Sequence, residues 1–535
     1  MRVAKCARVA AAVVLVSLAG RSRSDDAQIR SNSVLWDSER WRPWVVGIDP
    51  DGVTHLIGYN ARLAGNLKLT STDDIEPRRV PFGFIGPGDT LRWTVRAPSQ
   101  GTYSVAVLYA PGQAGVGSRL EVTAAGRRVA GMVVAAKTGV WQGGPPDRPS
   151  FRRDWLDGTV QLPTGESQVT LLVEPAPQQQ HAARGELSQP RNGWPKRSLH
   201  VVALELARPA VLARLRRDAT ALHASTRWMM DGRYGLFIHW VPESYPLYGD
   251  QPAWRHYEQA VNAFDVEAFA DMVQEAGAAW VVFTTTHGKY YFPGPLSAMD
   301  AVVPGRTCRR DLIGELAGTL NRRGIRLMLY FHPGPGVGED REWAHAAGIS
   351  PVDDLRNQRI MIDMFKEIGE RYGRRLAGWF IDGGYAYYVR NISFERLGRA
   401  LKAGNPDRVV TYFAWLFPNW SPFGGDFLSD VTYFGAPLPP PMPPQWFAPG
   451  GPYEGLQGQF NFTLEDAWYP DKPLNGRWPD PRYPRDVIVP YLSQMAAAGW
   501  PITLNVVITQ DVTRKQPFVS PRSMQILREI RRAVK

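Results

Sequence analysis

The sequence predicts two folded units, an N-terminal β-sandwich followed by a C-terminal (β/α)8 barrel. Residues 35–207 contain short runs in which apolar and polar residues alternate, a period typical of strands with one buried face. From residue 220 to residue 535, apolar runs alternate with amphipathic helical stretches, as in a barrel of parallel strands covered by helices. The length of 535 residues also favours more than one hydrophobic core.

The N-terminal unit shows its alternation most clearly in TLRWTVRA, where Leu91, Trp93 and Val95 are predicted to face the core. The order of this run and those that follow it resembles the jelly-roll carbohydrate-binding modules attached to bacterial glycosidases, over about 120 residues. Residues 175–197 contain few apolar side chains and are predicted to form a long surface loop.

Eight apolar runs are predicted as the barrel strands. They are YGLFIHW (234–240), AAWVVFTTTHG (278–288), RLMLYFHP (326–333), LAGWFIDGG (376–384), VVTYFAW (409–415), DVTYFGA (430–436), GQFNFTLE (458–465) and WPITLNVV (500–507). Helical patterns follow most of them but are weak between the fifth and seventh runs, so we expect an irregular barrel there.

The N-terminus has the form of a signal peptide over residues 1–28, because basic residues precede a short apolar run and a polar stretch. We therefore expect a secreted or periplasmic protein without a membrane anchor. Its removal would leave Cys308 as the remaining cysteine, so no intrachain disulfide is expected. The net charge of +11 is spread along the chain without basic runs, which argues against a nucleic-acid partner.

Polar and aromatic residues follow the predicted strands, where the working residues of such barrels lie. These residues are His239, Trp240, His287, His332, Asp382, Trp415, Glu465 and Asn505. A single histidine at such a position is usually structural, but three on successive strands favour a binding site. No metal motif, glycine-rich phosphate loop or serine elbow is present in the sequence, so no metal or cofactor is predicted.

Several segments of the barrel resemble the α-L-fucosidase family of glycoside hydrolases, family 29. The segments, in family order, are RYGLFIHW, WRHYEQAV, FDVEAFADMVQEAGAAWVVFTTTHG, RRDLIGELAGTLNRRGIRLMLYF, ERYGRRLAGWFIDG and ITLNVVITQDV. The resemblance implies that Asp382 is the nucleophile of a retaining glycosidase and that His239 and His287 bind the sugar. The other expected substrate-binding residues are Trp240, Trp254, Tyr330, His332, Trp415 and Trp468.

Three departures from the family pattern affect the pocket and leave the nucleophile in place. FIHWG is FIHWV here, with Val241; HHDGF is Thr286-His287-Gly288-Lys289-Tyr290; and YYS is Tyr330-Phe331-His332. The reaction class therefore has more support than fucose as the sugar. A glycosidase for a related sugar and a catalytically inactive carbohydrate-binding protein stay open as alternatives, with a glycan as partner in each case.

The general acid/base is the least determined residue. In the resembled family it is a glutamate next to an aromatic residue, which favours Glu454 after Tyr453. Glu465 is the alternative, because it closes the run FNFTLE at the expected end of the seventh strand, and Asp430 is a more distant third candidate. The mechanism implied needs these two carboxyl groups and no cofactor. The sequence does not determine the oligomeric state.

Overall fold

The structure is a computed structural model. It describes residues 45–58, 61–65, 68–71, 79–82, 89–111, 116–132, 152–174, 199–332, 340–348, 355–382, 393–412, 425–431, 438, 441, 444–449, 455–513 and 517–534. The predicted signal peptide over 1–28, the predicted loop within 175–197, Trp415 and Glu454 lie outside these residues.

The N-terminal half consists of strands. They are β1 (Val45–Gly47), β2 (Thr54–Ile57), β3 (Arg62–Ala64), β4 (Lys68–Ser71), β5 (Arg79–Phe82), β6 (Thr90–Ala97), β7 (Gly101–Pro111), β8 (Arg119–Ala124), β9 (Arg127–Met132), β10 (Arg152–Trp155), β11 (Val160–Leu162), β12 (Gly165–Glu174) and β13 (Leu199–Ala207). They form two sheets, in the orders β1-β6-β12-β8-β9 and β10-β7-β13-β5-β4. All the pairs are antiparallel except β1 with β6.

The two sheets share one apolar core to which alternate residues of β6, β7 and β12 contribute. Leu91, Trp93 and Val95 of β6 are fully buried in it, as the alternation in TLRWTVRA predicts, and so are Val105 and Val107 of β7. The Trp93 indole donates a hydrogen bond of 2.7 Å to the carbonyl of Ile57 and so satisfies its one polar atom. Side chains of the two sheets therefore pack against one another.

The C-terminal half alternates strands and helices. Its strands are β14 (Tyr234–Ile238), β15 (Trp280–Thr284), β16 (Arg326–Phe331), β17 (Leu376–Ile381), β18 (Val409–Tyr412), β19 (Phe427–Val431), β20 (Gln457–Thr463) and β21 (Ile502–Asn505). Its helices are α1 (Pro209–Leu222), α2 (Arg227–Gly232), α3 (Tyr257–Ala263), α4 (Val266–Ala276), α5 (Ser297–Asp300), α6 (Leu312–Arg322), α7 (Arg341–Ala346), α8 (Leu355–Tyr372), α9 (Phe394–Leu401), α10 (Arg485–Ala497) and α11 (Pro521–Val534).

The eight strands of this half form one parallel sheet, in the order β18-β17-β16-β15-β14-β21-β20-β19. Its two end strands are joined through Asp426, which precedes β19. The Asp426 N–H donates to the carbonyl of Val410 in β18 at 2.8 Å, and the Asp426 carboxylate accepts from the Val410 N–H at 2.8 Å. The sheet is thus a nearly closed barrel, and the predicted barrel is confirmed.

Strand positions agree with the apolar runs, with one correction. The sixth strand begins at Phe427, three residues before the predicted start at 430, because Phe427 and Leu428 extend the apolar run that pairs with β20. Between β18 and β20, the described residues contain no α-helix and one 3-10 turn, Pro444–Trp446. This agrees with the irregularity that we predict for that part of the barrel.

Alternate residues of each barrel strand pack in two separate layers. In β14, Leu236 and Ile238 face the helices, whereas Phe237 belongs to a cluster inside the barrel. The floor of the interior includes Trp280, whose indole donates to the hydroxyl of Thr503 at 3.0 Å. This ring lies against Gly235, where any Cβ would come within 2.4 Å of it, so a glycine is required there. The filled interior leaves the C-terminal ends of the strands as the place for a pocket.

The N-terminal sheets pack on the barrel without an intervening linker. Ile57, Leu108 and Ala203 lie on the outer face of their sheet and belong to the apolar cluster that fills the space around the barrel. Arg396 of α9 pairs with Asp49, which follows β1, at 3.6 Å. The two halves therefore share a buried apolar surface. No helix in the described part of the chain is long and apolar enough to cross a membrane.

Candidate active site

Asp382 lies at the C-terminal end of the fourth barrel strand, directly after Ile381. Its N–H donates to the carbonyl of Phe331 at 3.0 Å and so continues the hydrogen-bonded ladder between β16 and β17 by one residue. The backbone that carries this half-buried carboxylate is consequently held by the barrel rather than by a loop. Parallel strands present such positions to the pocket with little freedom.

Tyr330 binds this carboxylate. Its hydroxyl donates a hydrogen bond of 2.6 Å to Oδ2 of Asp382. The Tyr330 ring is buried and stacks on Phe380 with a centroid separation of 5.9 Å, which fixes the direction of the hydroxyl. A donor at this distance stabilises the ionised form of the carboxylate, the form that a nucleophile needs.

His239 follows the first barrel strand and is fixed by Asn505 at the end of the last. Nδ1 of His239 lies 2.7 Å from Oδ1 of Asn505. The amide group of Asn505 donates to the carbonyls of Trp468 at 3.0 Å and Ala467 at 3.4 Å, so its oxygen must face the imidazole. Nδ1 of His239 therefore carries the hydrogen, and in the neutral ring Nε2 is left as an acceptor.

The charge state of His239 follows from its surroundings. Burial lowers its pKa to about 3, the neighbouring His287 lowers it as well, and the hydrogen bond that His239 donates to Asn505 opposes them only in part. The imidazole is therefore neutral at neutral pH. A neutral ring with a free acceptor nitrogen is suited to accept a hydrogen bond from a sugar hydroxyl.

Further rings surround these groups. The ring centroid of His287 lies 6.2 Å from Tyr330 and 6.3 Å from His239, and that of His332 lies 5.9 Å from His287. Trp468 lies 5.1 Å from His239. The structure thus gathers five of the predicted binding residues, together with Asp382, at one end of the barrel. They are His239, His287, Tyr330, His332 and Trp468.

Trp240 and Trp254, two other predicted binding residues, have different surroundings. Trp240 is buried behind the strands, where it stacks on Phe283 at 5.9 Å and donates its indole N–H to Gln510 at 2.8 Å. Successive residues of a strand face opposite sides, so the position after His239 turns its side chain towards the helices. Trp254 is half-buried, and the guanidinium of Arg255 lies 3.8 Å from the centre of its ring.

Both carboxylate oxygens of Glu465, the alternative acid/base, accept hydrogen bonds from groups outside the histidine cluster. Oε2 accepts from the N–H of Val507 at 3.0 Å, and Oε1 accepts from the hydroxyl of Ser523 in the first turn of α11 at 2.5 Å. Burial raises the pKa of Glu465 to about 7, a value that suits a general acid. The geometry argues against that role, because a carboxyl group bound on both oxygens and 1% exposed cannot reach a substrate.

Two residues near this cluster have no place in the sequence predictions. Tyr469 lies 5.3 Å from the ring of His287. Oε1 of Glu243 lies 3.8 Å from Nδ1 of the same histidine. The sequence feature that could indicate Glu243 as a site residue is its position, three residues after Trp240 in the loop that follows the first strand. Within the described residues, no group of three His, Cys, Asp or Glu side chains could hold a metal ion.

Comparison with known proteins gives one family. Residues 248–411 match the family model described as Alpha-L-fucosidase, and this range contains His287, Tyr330 and Asp382. Tissue alpha-L-fucosidase of Homo sapiens is 31% identical over 144 residues, which are 20% of this chain and 30% of that protein. The enzyme of the same name from Bos taurus is 28% identical over 144 residues, with the same coverage of 20% and 30%.

The chain thus spans about 30% of the length of the curated relatives that it matches. Among solved structures, an alpha-L-fucosidase from Lactobacillus casei in complex with alpha-L-fucose has 16% identity and a TM-score of 0.40, over 58% of this chain and 97% of that chain. A trapped covalent intermediate of an alpha-L-fucosidase from Bacteroides thetaiotaomicron has 17% identity and a TM-score of 0.40, over 58% and 76%. The resemblance seen in the sequence motifs is confirmed by the family model.

Proposed function

We propose that this chain is a member of the α-L-fucosidase family of glycoside hydrolases, whose model matches residues 248–411, and that it is a retaining exo-glycosidase that removes terminal α-L-fucosyl residues from glycans. The observation that carries the proposal is the pair formed by Asp382 and Tyr330 at the ends of adjacent barrel strands. It supplies an ionised, rigidly held carboxylate at the end of a barrel where substrates bind.

In the proposed reaction, Asp382 is the nucleophile. Its carboxylate oxygen attacks the anomeric carbon while the bond to the leaving oxygen breaks and a carboxylic acid gives that oxygen its proton. The product is a covalent glycosyl ester of Asp382. Water, deprotonated by the same second carboxyl group, then attacks the anomeric carbon and releases the sugar with its original configuration. No cofactor takes part.

The histidines have complementary roles in this proposal. His239 accepts a hydrogen bond from a sugar hydroxyl through Nε2, and His287 and Trp468 contribute further contacts. Hydrogen bonds of this type strengthen as the transition state forms, so they contribute to turnover as well as to binding. Glu454 is the preferred acid/base, since both oxygens of Glu465 are bound elsewhere.

We extend the proposal to the remaining parts of the chain. The N-terminal sheets act as a carbohydrate-binding module of jelly-roll type, an assignment that rests on the succession of their strand motifs. The signal-peptide pattern over residues 1–28 supports a secreted or periplasmic protein. A glycan or glycoconjugate is the expected partner, because an exo-glycosidase acts on terminal sugars.

The experiment that tests this function is hydrolysis of a panel of aryl glycosides by the purified protein, with 4-nitrophenyl α-L-fucoside among them. We expect release of the nitrophenol from the α-L-fucoside and little from glucosides, galactosides or mannosides. Hydrolysis of another glycoside alone would keep the mechanism and overturn fucose as the sugar. Binding of fucose without hydrolysis of any member of the panel would overturn the enzymatic proposal and support a binding protein.

A further inference from the structure

Glu243 carries a buried carboxylate that no hydrogen bond satisfies. Both of its carboxylate oxygens are closed to solvent, and neither has a hydrogen-bond partner among the residues that the structure describes. The side chain as a whole is 21% exposed, so the stem of the side chain is its accessible part. An ionised carboxylate in this state is unfavourable unless a charged group compensates for it.

Backbone hydrogen bonds fix the loop that carries Glu243, so the fold itself determines the burial of the carboxylate. On one side of Glu243, the carbonyl of Pro242 accepts from the N–H of Trp254 at 2.7 Å. On the other side, the carbonyl of Ser244 accepts from the N–H of Ala253 at 2.9 Å. The Tyr245 N–H donates to the carbonyl of Pro470 at 2.9 Å, which joins this loop to the one that carries Trp468.

The group that can compensate for this carboxylate is His287. Its Nδ1 lies 3.8 Å from Oε1 of Glu243, within ion-pair distance and just beyond a hydrogen bond. A carboxylate facing Nδ1 favours a hydrogen on that nitrogen in either charge state. The nitrogen that gains or loses a proton is therefore Nε2.

Several titratable side chains from different elements contact the His287 ring. His239 approaches it from the end of β14, Tyr330 and His332 from the end of β16, and Tyr469 from the loop after β20. Glu243 approaches it from the loop after β14, and Asp382 lies one residue further, behind Tyr330. A second cation at His239 or His332 would oppose protonation of His287, so Glu243 supplies the opposing negative charge.

We propose that Glu243 is a positioning residue that keeps a proton on His287, so that the pocket contains one neutral and one protonated imidazole. His239, fixed by Asn505, is the neutral ring, and His287, beside Glu243, is the protonated one. This inference rests on the proposed sugar hydrolysis only for its effect on turnover.

The test compares the wild type, Glu243→Gln and a control, Asp250→Asn, in the full chain. Asp250 is an exposed acid of the same loop, so its substitution removes one charge without touching His287. The His287 imidazole is followed by NMR of protein with labelled histidines, and its signal is assigned with a His287→Gln variant. In parallel, kcat/KM for 4-nitrophenyl α-L-fucoside is measured against pH.

We expect Glu243→Gln to lower the pH at which His287 loses its proton by about one unit. The pH at which kcat/KM declines on the alkaline side should fall by the same amount, while Asp250→Asn should match the wild type in both measurements. An unchanged His287 titration in Glu243→Gln would overturn the inference. If that variant does not fold, Glu243→Asp keeps the charge at a greater distance, and an unshifted titration there contradicts it too.

The NMR measurement separates this inference from the proposed function. A shifted His287 titration in a protein that hydrolyses no α-L-fucoside would support the Glu243–His287 pair and contradict the fucosidase assignment. Hydrolysis of the α-L-fucoside together with an unshifted His287 titration would support the fucosidase assignment and contradict the Glu243–His287 pair.

Discussion

Asn505 determines which nitrogen of His239 can act on a substrate. Its two amide hydrogens are used by the carbonyls of Ala467 and Trp468, so only its oxygen remains for the imidazole. One polar side chain therefore sets a tautomer, orients a ring and anchors the loop that carries Trp468. At the scale of single residues, the side chains that hold His239 and Trp468 in place define the pocket as much as the groups that would touch the sugar.

The hydrogen bond from Tyr330 to Asp382 gives the first residue-scale prediction. Replacing Tyr330 with Phe removes the donor that stabilises the carboxylate and keeps the stacked ring. A hydrogen bond to a charged group contributes about 1.5–3 kcal/mol, so we expect kcat for an aryl α-L-fucoside to fall about 10- to 100-fold. Steady-state kinetics on the purified variant measures this loss.

Tyr234→Phe is the matched control for that variant. Tyr234 is also a buried barrel tyrosine, but its hydroxyl donates to the carbonyl of Ala276 at 3.1 Å and does not contact Asp382. It should lose some stability and keep its turnover. Equal kcat values for Tyr330→Phe and Tyr234→Phe would show that the Tyr330 hydroxyl has no role in the reaction.

At the scale of elements, Glu465 links two parts of the barrel rim to helix α11. Its carboxyl group accepts from the backbone after β21 and from Ser523 in the first turn of that helix. The Glu465 pKa, raised by burial to about 7, means that the folded state favours the protonated form. The unfolded chain releases this proton near its ordinary pKa of about 4.5, so the contribution of Glu465 to stability falls as pH rises from about 4.5 to 7.

Glu465→Gln should therefore become more stable than the wild type as pH rises. The difference in free energy of unfolding should be near zero at about pH 4.5 and of the order of 3 kcal/mol above pH 7, since each unit of pKa shift is worth about 1.4 kcal/mol. Denaturant unfolding at several pH values measures it. We also expect the variant to keep its turnover, because both oxygens of Glu465 are bound away from the pocket.

Glu315→Gln provides the control for this series. Glu315 is a half-exposed helix residue whose pKa is lowered by its hydrogen bond from Arg310, the opposite direction to Glu465. Its substitution should bring no gain in stability with rising pH. A loss of turnover in Glu465→Gln on substrates with poor leaving groups, with activated ones spared, would instead identify Glu465 as the acid/base.

At the scale of the whole molecule, periodicity in the sequence predicts the fold well because burial dictates it. The apolar run LAGWFI could only be a strand buried on both faces, and β17 has those bounds. The sixth strand starts three residues before the predicted run, because Pro and Gly around it blur where the apolar run begins. The packing of the outer face of the N-terminal sheets on the barrel is a long-range contact that no local pattern encodes.

The candidate site was predictable in part for the same reason. Asp382, His239 and His287 follow strands, so their position in the chain gives their position in the barrel. Trp240 also follows a strand, but the alternation of side chains turns it into the core. Glu243 and Tyr469 lie on loops, and their approach to His287 depends on hydrogen bonds between loops that sequence periodicity does not register.

The most direct test of the central claim is to trap the covalent intermediate on Asp382. Incubation with 2-fluoro-fucosyl fluoride pairs a good leaving group with a fluorine that slows hydrolysis of the glycosyl-enzyme, because it destabilises the positively charged transition state. Mass spectrometry of the digested protein should find one added fluorofucosyl group on the peptide that contains Asp382, and none on Asp382→Ala. An adduct on a different carboxylate, or turnover of an aryl α-L-fucoside by Asp382→Ala at the wild-type rate, would contradict the account.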